Sequence, residues 1–127
     1  MIWRHWYDID NRNGNDNDND NDFKLEKLIF GDHFNHKVDN LIHWLKKITF
    51  GTNFNQDVFN LPTSLEYIKF DNDFNQNIDY LPCSLITIIY GNCFNQQVYN
   101  LPSTLEEIIL GENFNHKISY IPCGLKK

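Results

Sequence analysis

The dipeptide Phe-Asn stands at 34–35, 54–55, 74–75, 94–95 and 114–115, a spacing of 20 residues that does not slip across five copies. Residues that recur once per turn of a coil stack on their own copies, so a short strict period restricts a chain to solenoid-type folds before any single side chain is considered. Written from Leu25, the unit reads L-x-x-[IL]-x-[FYL]-[GD]-x-x-F-N-x-x-[VI]-x-x-L-P, with Ile42 in place of proline in the first copy and Ile121 in place of leucine in the last.

Six columns of the unit are apolar in every copy. They are Leu25/45/65/85/105, Leu28 with Ile48/68/88/108, and the columns headed by Phe30, Phe34, Val38 and Leu41. All 30 of these positions hold an apolar or aromatic residue, and Tyr90 alone brings a polar atom, in a chain that is 41% hydrophobic overall. A period this short has no room for a strand, a full helix and two turns. Each rung is therefore expected to be one short strand, extended segments and tight bends. The strand is placed at stretches such as Tyr67-Ile68-Lys69-Phe70, where alternation turns Ile68 and Phe70 inward. Successive strands then pair in parallel. The expected fold is mainly β: a leucine-rich-repeat-like, right-handed solenoid of five 20-residue rungs with a parallel sheet.

The remaining columns have structural readings. Gly31, Gly51, Asp71, Gly91 and Gly111 suggest a backbone that needs positive φ, with Asp the tolerable substitute. Phe34, Phe54, Phe74, Phe94 and Phe114 form an expected aromatic spine. Asn35, Asn55, Asn75, Asn95 and Asn115 form an expected amide ladder that satisfies the bend and its neighbouring rungs. Pro62, Pro82, Pro102 and Pro122 fix a corner before Ser64, Ser84 and Thr104, whose hydroxyls suit turn bonds.

Residues 1–24 read differently, as an aromatic start (Trp3, Trp6, Tyr7) followed by an Asn/Asp-rich linker, and residues 25–127 form the repeat domain. The run "DNRNGNDNDNDND" has nothing to bury and is expected to be disordered, the segment 8–22 included. Asp16, Asp18, Asp20 and Asp22 alternate like the opening of an EF-hand, but a loop begun at Asp16 meets Asn21 where glycine is needed and Lys27 where glutamate is needed, so a solvated tail is the reading. The aromatics could fold over the open first rung or be the remnant of a preceding motif.

The formal charge is −6, yet the first 22 residues hold six Asp against Arg4 and Arg12, which leaves the repeats with nine basic and eleven acidic residues. With no basic stripe, nucleic-acid or anionic-membrane binding is disfavoured. No apolar run suits a signal peptide or a membrane span, so a cytoplasmic location is expected. Cys83 and Cys123 share a column two rungs apart, about 10 Å at strand spacing and too far to bridge. With Cys93, which takes a turn column, they read as reduced thiols.

The strand motif L-x-x-I-x-F, followed two residues on by Asn, Asp, His or Cys, resembles the strand half of a leucine-rich repeat. With the continuation F-N-x-x-[VI]-x-x-L-P-x-S, residues 25–125 resemble the FNIP repeat family, a leucine-rich-repeat relative abundant in amoebae and the giant viruses that infect them. For a viral member, the resemblance implies the host cytoplasm. Members are often coupled to an F-box, which implies substrate reception for a ubiquitin ligase. About 22 residues ahead of the repeats are too few for an F-box, so that role is expected here only with an adaptor supplied in trans. The unit is also a couple of residues shorter than the family's usual one.

No nucleophile, base and orienting group can be assembled from the repeats. His33 and His36 fall in different columns, and His36 and His116 lie four rungs, about 20 Å, apart. Neither an enzyme, a metal site nor a cofactor is expected. What remains is binding, because a stacked sheet exposes every other strand residue on one continuous face. Its two central rows are Lys27, Lys47, Tyr67, Thr87, Glu107 and Ile29, Thr49, Lys69, Ile89, Ile109. A protein partner is expected at Tyr67, Lys69, Thr87, Ile89 and Ile109. A second stripe, Phe59, Tyr80, Tyr99 and Tyr120, lies on the opposite side and is the competing surface. The alternative is a structural or relict repeat without a partner. The molecule is expected to be monomeric, or weakly self-associating at its C-terminal edge, where Glu106, Glu107 and Glu112 discourage strand pairing.

Overall fold

In the computed structural model, the described residues are 25–126 together with the strand formed by residues 7 and 8. Strands β1 (Tyr7–Asp8), β2 (Lys27–Phe30), β3 (Lys47–Thr49), β4 (Tyr67–Lys69), β5 (Thr87–Ile89) and β6 (Glu107–Ile109) make one sheet in chain order. From β2 to β6 the pairing is parallel and the register advances by one repeat per strand: Leu28, Ile48, Ile68, Ile88 and Ile108 lie side by side. The fold is therefore a leucine-rich-repeat-like solenoid of five rungs, and no helix occurs among the described residues.

Each strand is short because the rung must turn on both sides of it. After the strand, the N–H of Phe34 donates to the carbonyl of Gly31 at 3.1 Å, and the same turn closes at Phe54, Phe74, Phe94 and Phe114. Before the strand, Leu65 N–H donates to Pro62 C=O at 3.1 Å, with equivalents at Leu45, Leu85, Leu105 and Leu125. Proline presets the φ this second turn requires and needs no donor of its own there.

The core is built from the six columns, which hold all its large apolar side chains, and Pro62, Pro82, Pro102 and Pro122 are buried at its corner. Phe50, Phe54, Phe70, Phe74 and Phe94 are wholly buried and stack in two files. Within a rung the two rings stack, at 3.8–3.9 Å in the three middle rungs and 4.3 Å between Phe30 and Phe34. Between rungs the file beside the sheet is spaced at 5.0 Å (Phe30–Phe50), 5.4 Å (Phe50–Phe70) and 5.7 Å (Phe70–Tyr90). The file farther from the sheet, headed by Phe34, is spaced at 6.0–6.2 Å. Equivalent atoms of near-parallel rings separate more at the back than at the sheet, so the stack bends and the sheet lines its concave side. In the last rung Ile108, Leu110, Phe114 and Ile118 are only half-buried and Ile121 is exposed, for want of a further rung above them among the described residues.

Polar side chains bind rung to rung. The Oδ1 of Asn35 accepts the backbone N–H of Asn55 at 2.9 Å, and the pattern repeats from Asn55 to Asn75, Asn75 to Asn95 and Asn95 to Asn115. Gln56, Gln76 and Gln96 donate Nε2 to the same oxygens one rung back. The hydroxyls of Ser64, Ser84 and Thr104 donate to the carbonyls of Leu45, Leu65 and Leu85 at 2.6–2.7 Å.

Two expectations are corrected. Among the described residues no glycine has positive φ and only Asn40 does, at φ 63°. The glycine column answers instead to close approach. A Cβ at Gly51 would lie 2.6 Å from the Asp32 Cα and the Gly31 carbonyl oxygen, and Cβ atoms at Gly91 and Gly111 would meet the backbone of the preceding rung more closely still. Gly31, with no rung before it, would meet nothing within 4 Å. The second correction is at the N-terminal side: Asp8, expected in a disordered segment, lies in β1, which pairs antiparallel to β2 with Tyr7 opposite Phe30 and Asp8 opposite Ile29. Trp3, Trp6 and the Asn/Asp run lie outside the described residues.

Candidate functional site

The sheet register assembles the outward face. One row runs Lys27, Lys47, Tyr67, Thr87, Glu107 and the next Ile29, Thr49, Lys69, Ile89, Ile109, each residue directly beside its neighbour on the adjoining strand. These rows point outward because the residue between them, from Leu28 to Ile108, is committed to the core. Of the five residues expected to bind, Tyr67, Lys69, Thr87 and Ile89 are half-buried and Ile109 is 45% exposed. All five therefore share one surface, spread over β4, β5 and β6.

A third row, which the sequence reading did not single out, lies just before the strands: Glu26, Lys46, Glu66, Ile86, Glu106, Lys126. Its charges pair along the row, Lys46 with Glu66 at 3.5 Å and Lys126 with Glu106 at 2.6 Å, and Ile86 interrupts it 37% exposed. The alternation of sign in this column was a readable signal. Ile86, Thr87, Glu106, Glu107, Ile109 and Lys126 surround a depression of about 440 Å3 at the β5–β6 end of the face. Partial burial raises the pKa of the Tyr67 hydroxyl, and the Glu107 carboxylate adds to the effect.

The competing stripe is more exposed. Phe59 (56%), Tyr80 (72%), Tyr99 (58%) and Tyr120 (56%) stand one per rung on the far side, and the rings of Phe59 and Tyr80 are 6.4 Å apart at 57°. The structure thus places both candidate surfaces in solvent and separates them by the width of the rung.

Three histidines serve the bends. His33 Nδ1 is 3.4 Å from Asn53 Nδ2, His36 meets the edge of the Phe34 ring, and His116 Nε2 lies 3.1 Å from the Asn95 carbonyl. Among the described residues no group of three or more His, Cys, Asp or Glu is placed to hold a metal ion. Cys83 and Cys123 are exposed, Cys93 half-buried, and all three are free thiols.

A parallel sheet on the concave side, a leucine column, an asparagine ladder and short closing turns define a solenoid of the leucine-rich-repeat type. Within that class the FNIP Repeat model matches residues 37–73, 58–93 and 74–112, and the chain belongs to the FNIP repeat family. Among solved structures it is similar to CroV588, described as a novel circular LRR protein, with a TM-score of 0.75 and 40% sequence identity. That match covers 80% of this chain and 16% of the circular protein, so the chain corresponds to a small arc of its length. No curated protein matches.

Proposed function

We propose that this chain is a non-catalytic protein-binding module whose partner meets the outward face of the sheet at Tyr67, Lys69, Thr87, Ile89 and Ile109. The observation that carries the reading is the aliphatic patch of Ile86, Ile89 and Ile109 on a face where the fold asks for none. The sheet is held by backbone bonds and by its inward columns, so outward isoleucines contribute little to stacking. An apolar centre edged by Lys69, Glu106 and Glu107 has the composition of an interface core with a polar rim. The three free thiols suit a reducing compartment and support the cytoplasm as the setting of this activity.

The exposure of Phe59, Tyr80, Tyr99 and Tyr120 favours a second reading, in which the far side binds. Cross-linked capture from cytosol distinguishes the two. Ile89→Asp with Ile109→Asp is expected to leave the fold largely intact, with a cooperative melt lowered somewhat by the two like charges it sets side by side, and to abolish the captured bands. If those bands persist and vanish only on replacing Phe59, Tyr80 and Tyr99 by Ser, the site belongs on the far side.

A further inference from the structure

The outward face is electrically uneven along the solenoid axis. Lys27 and Lys47 are direct neighbours on β2 and β3, and Lys69 follows one strand on in the next row. None of these three ammonium groups has an ion pair or side-chain hydrogen bond, whereas Lys37, Lys46 and Lys126 elsewhere on the surface each have a carboxylate within 3.6 Å. Like charges side by side on adjacent strands oppose folding. No carboxylate lies within ion-pair distance of any of the three. Beyond Lys69 the same face turns aliphatic, with Ile89 and Ile109, and then acidic at Glu107.

Geometry narrows what can satisfy both halves at once. Strands stand about 4.8 Å apart, so the rows offer one contact position per rung at that interval. An α-helix laid along the solenoid axis presents one side chain per turn every ~5.4 Å on a given edge, so it slips by only about 0.6 Å per rung and keeps step over two or three neighbouring rungs. An extended segment repeats on one face every ~6.8 Å and is out of step by the second rung. A long polyanion fits poorly, because the unpaired lysines span only about 10 Å of the axis before Glu107 is reached.

From this we infer that the face receives an amphipathic helix of a partner protein, with acidic residues over β2–β4 and aliphatic residues over β5–β6. The inference rests on the reading that the sheet face is the docking surface and adds the chemistry of its occupant. An acidic edge would neutralise Lys27, Lys47 and Lys69, and the aliphatic turns would cover Ile89 and Ile109.

The test uses the full chain and two labelled helical peptides of about 18 residues. One carries Glu on three successive turns of one edge and Leu on the next two, and the other carries Lys in place of Glu. Fluorescence polarisation is expected to show the Glu–Leu peptide binding at least about tenfold tighter than the Lys–Leu peptide, with the difference shrinking as salt rises. Lys47→Glu with Lys69→Glu should invert the preference without lowering the melting temperature, since it sets a glutamate beside Lys27, and Ile89→Asp with Ile109→Asp should weaken both peptides. Equal binding of the two peptides, no binding of the Glu–Leu peptide up to about 1 mM, a preference unmoved by the lysine changes, or tighter binding of a single-stranded oligonucleotide would each overturn the acidic-helix assignment. The docking face would survive any of these results if Ile89→Asp with Ile109→Asp still abolished partner capture. If capture also persisted, both would fall.

Discussion

Tyr90 takes the place of phenylalanine in the file beside the sheet, stacked at 3.9 Å on Phe94 and 2% exposed, and its hydroxyl makes no hydrogen bond. A buried, unpartnered hydroxyl opposes folding by about 1–3 kcal/mol. Tyr90→Phe keeps the ring and removes the hydroxyl, so thermal denaturation should show a gain of about 1 kcal/mol. Burial also holds the Tyr90 pKa well above 10. The unfolded chain can ionise near pH 10 while the folded one cannot, so stability present below that pH is lost as pH rises beyond it. Wild type should therefore lose more stability than Tyr90→Phe between about pH 9 and 11, and parallel losses would contradict the burial. Phe74, packed between Phe54 and Phe94 and in contact with Phe70, is the opposite case. Phe74→Ala leaves a cavity in the middle of the spine and should cost about 3–5 kcal/mol in a denaturant titration.

Among the elements, β1 differs from the other five strands by running antiparallel and by belonging to no repeat. Two residues of backbone pairing cover the outer edge of β2, which would otherwise present unpaired N–H and C=O groups. Deleting residues 1–8 should speed hydrogen exchange of β2 amides and leave those of β4 unchanged, and it should lower stability far less than Phe74→Ala. Equal exchange of β2 in both forms would mean that β1 contributes no protection. At the other edge, β6 has no strand beyond it among the described residues, and Glu106, Glu107 and Glu112 surround it. Replacing the three by Gln should raise the dimer or aggregate fraction in light scattering, because charge beside an open edge suppresses strand addition.

From residue 25 onward the molecule is one unit repeated, and each rung contacts its neighbours through the same columns and ladders. Stability in such a stack is close to a sum of rung and interface contributions. Removing residues 65–84, one whole period, joins equivalent positions and should give a shorter solenoid that still folds with a lower melting temperature. Removing half a period puts inward columns outward and should leave no cooperative transition. Similar melts for the two deletions would refute the repeat as the folding unit.

The repeat by itself determined the rung, its strand and the inward set, because these depend on alternation and turn chemistry within a few residues of one another. Ile68 and Phe70 are buried, and Tyr67 and Lys69 outward, as the pattern around them dictates. The same proximity made Phe34 to Phe114 legible as a spine and exposed Tyr67, Lys69, Thr87, Ile89 and Ile109 as one face. What passes between residues 20 apart was decided only in the stack. The glycines at 51, 91 and 111 answer to backbone approach between rungs, a distance no single unit contains, which is why a positive φ was the wrong expectation at Gly51. The Tyr7–Asp8 strand carries no pattern of its own, since two residues cannot show a period, and it exists through its pairing with β2. Curvature, the unpaired state of Lys27, Lys47 and Lys69, and the thinner burial of the last rung likewise follow from how near neighbouring rungs come, a quantity set by packing in three dimensions rather than by the order of residues in one unit.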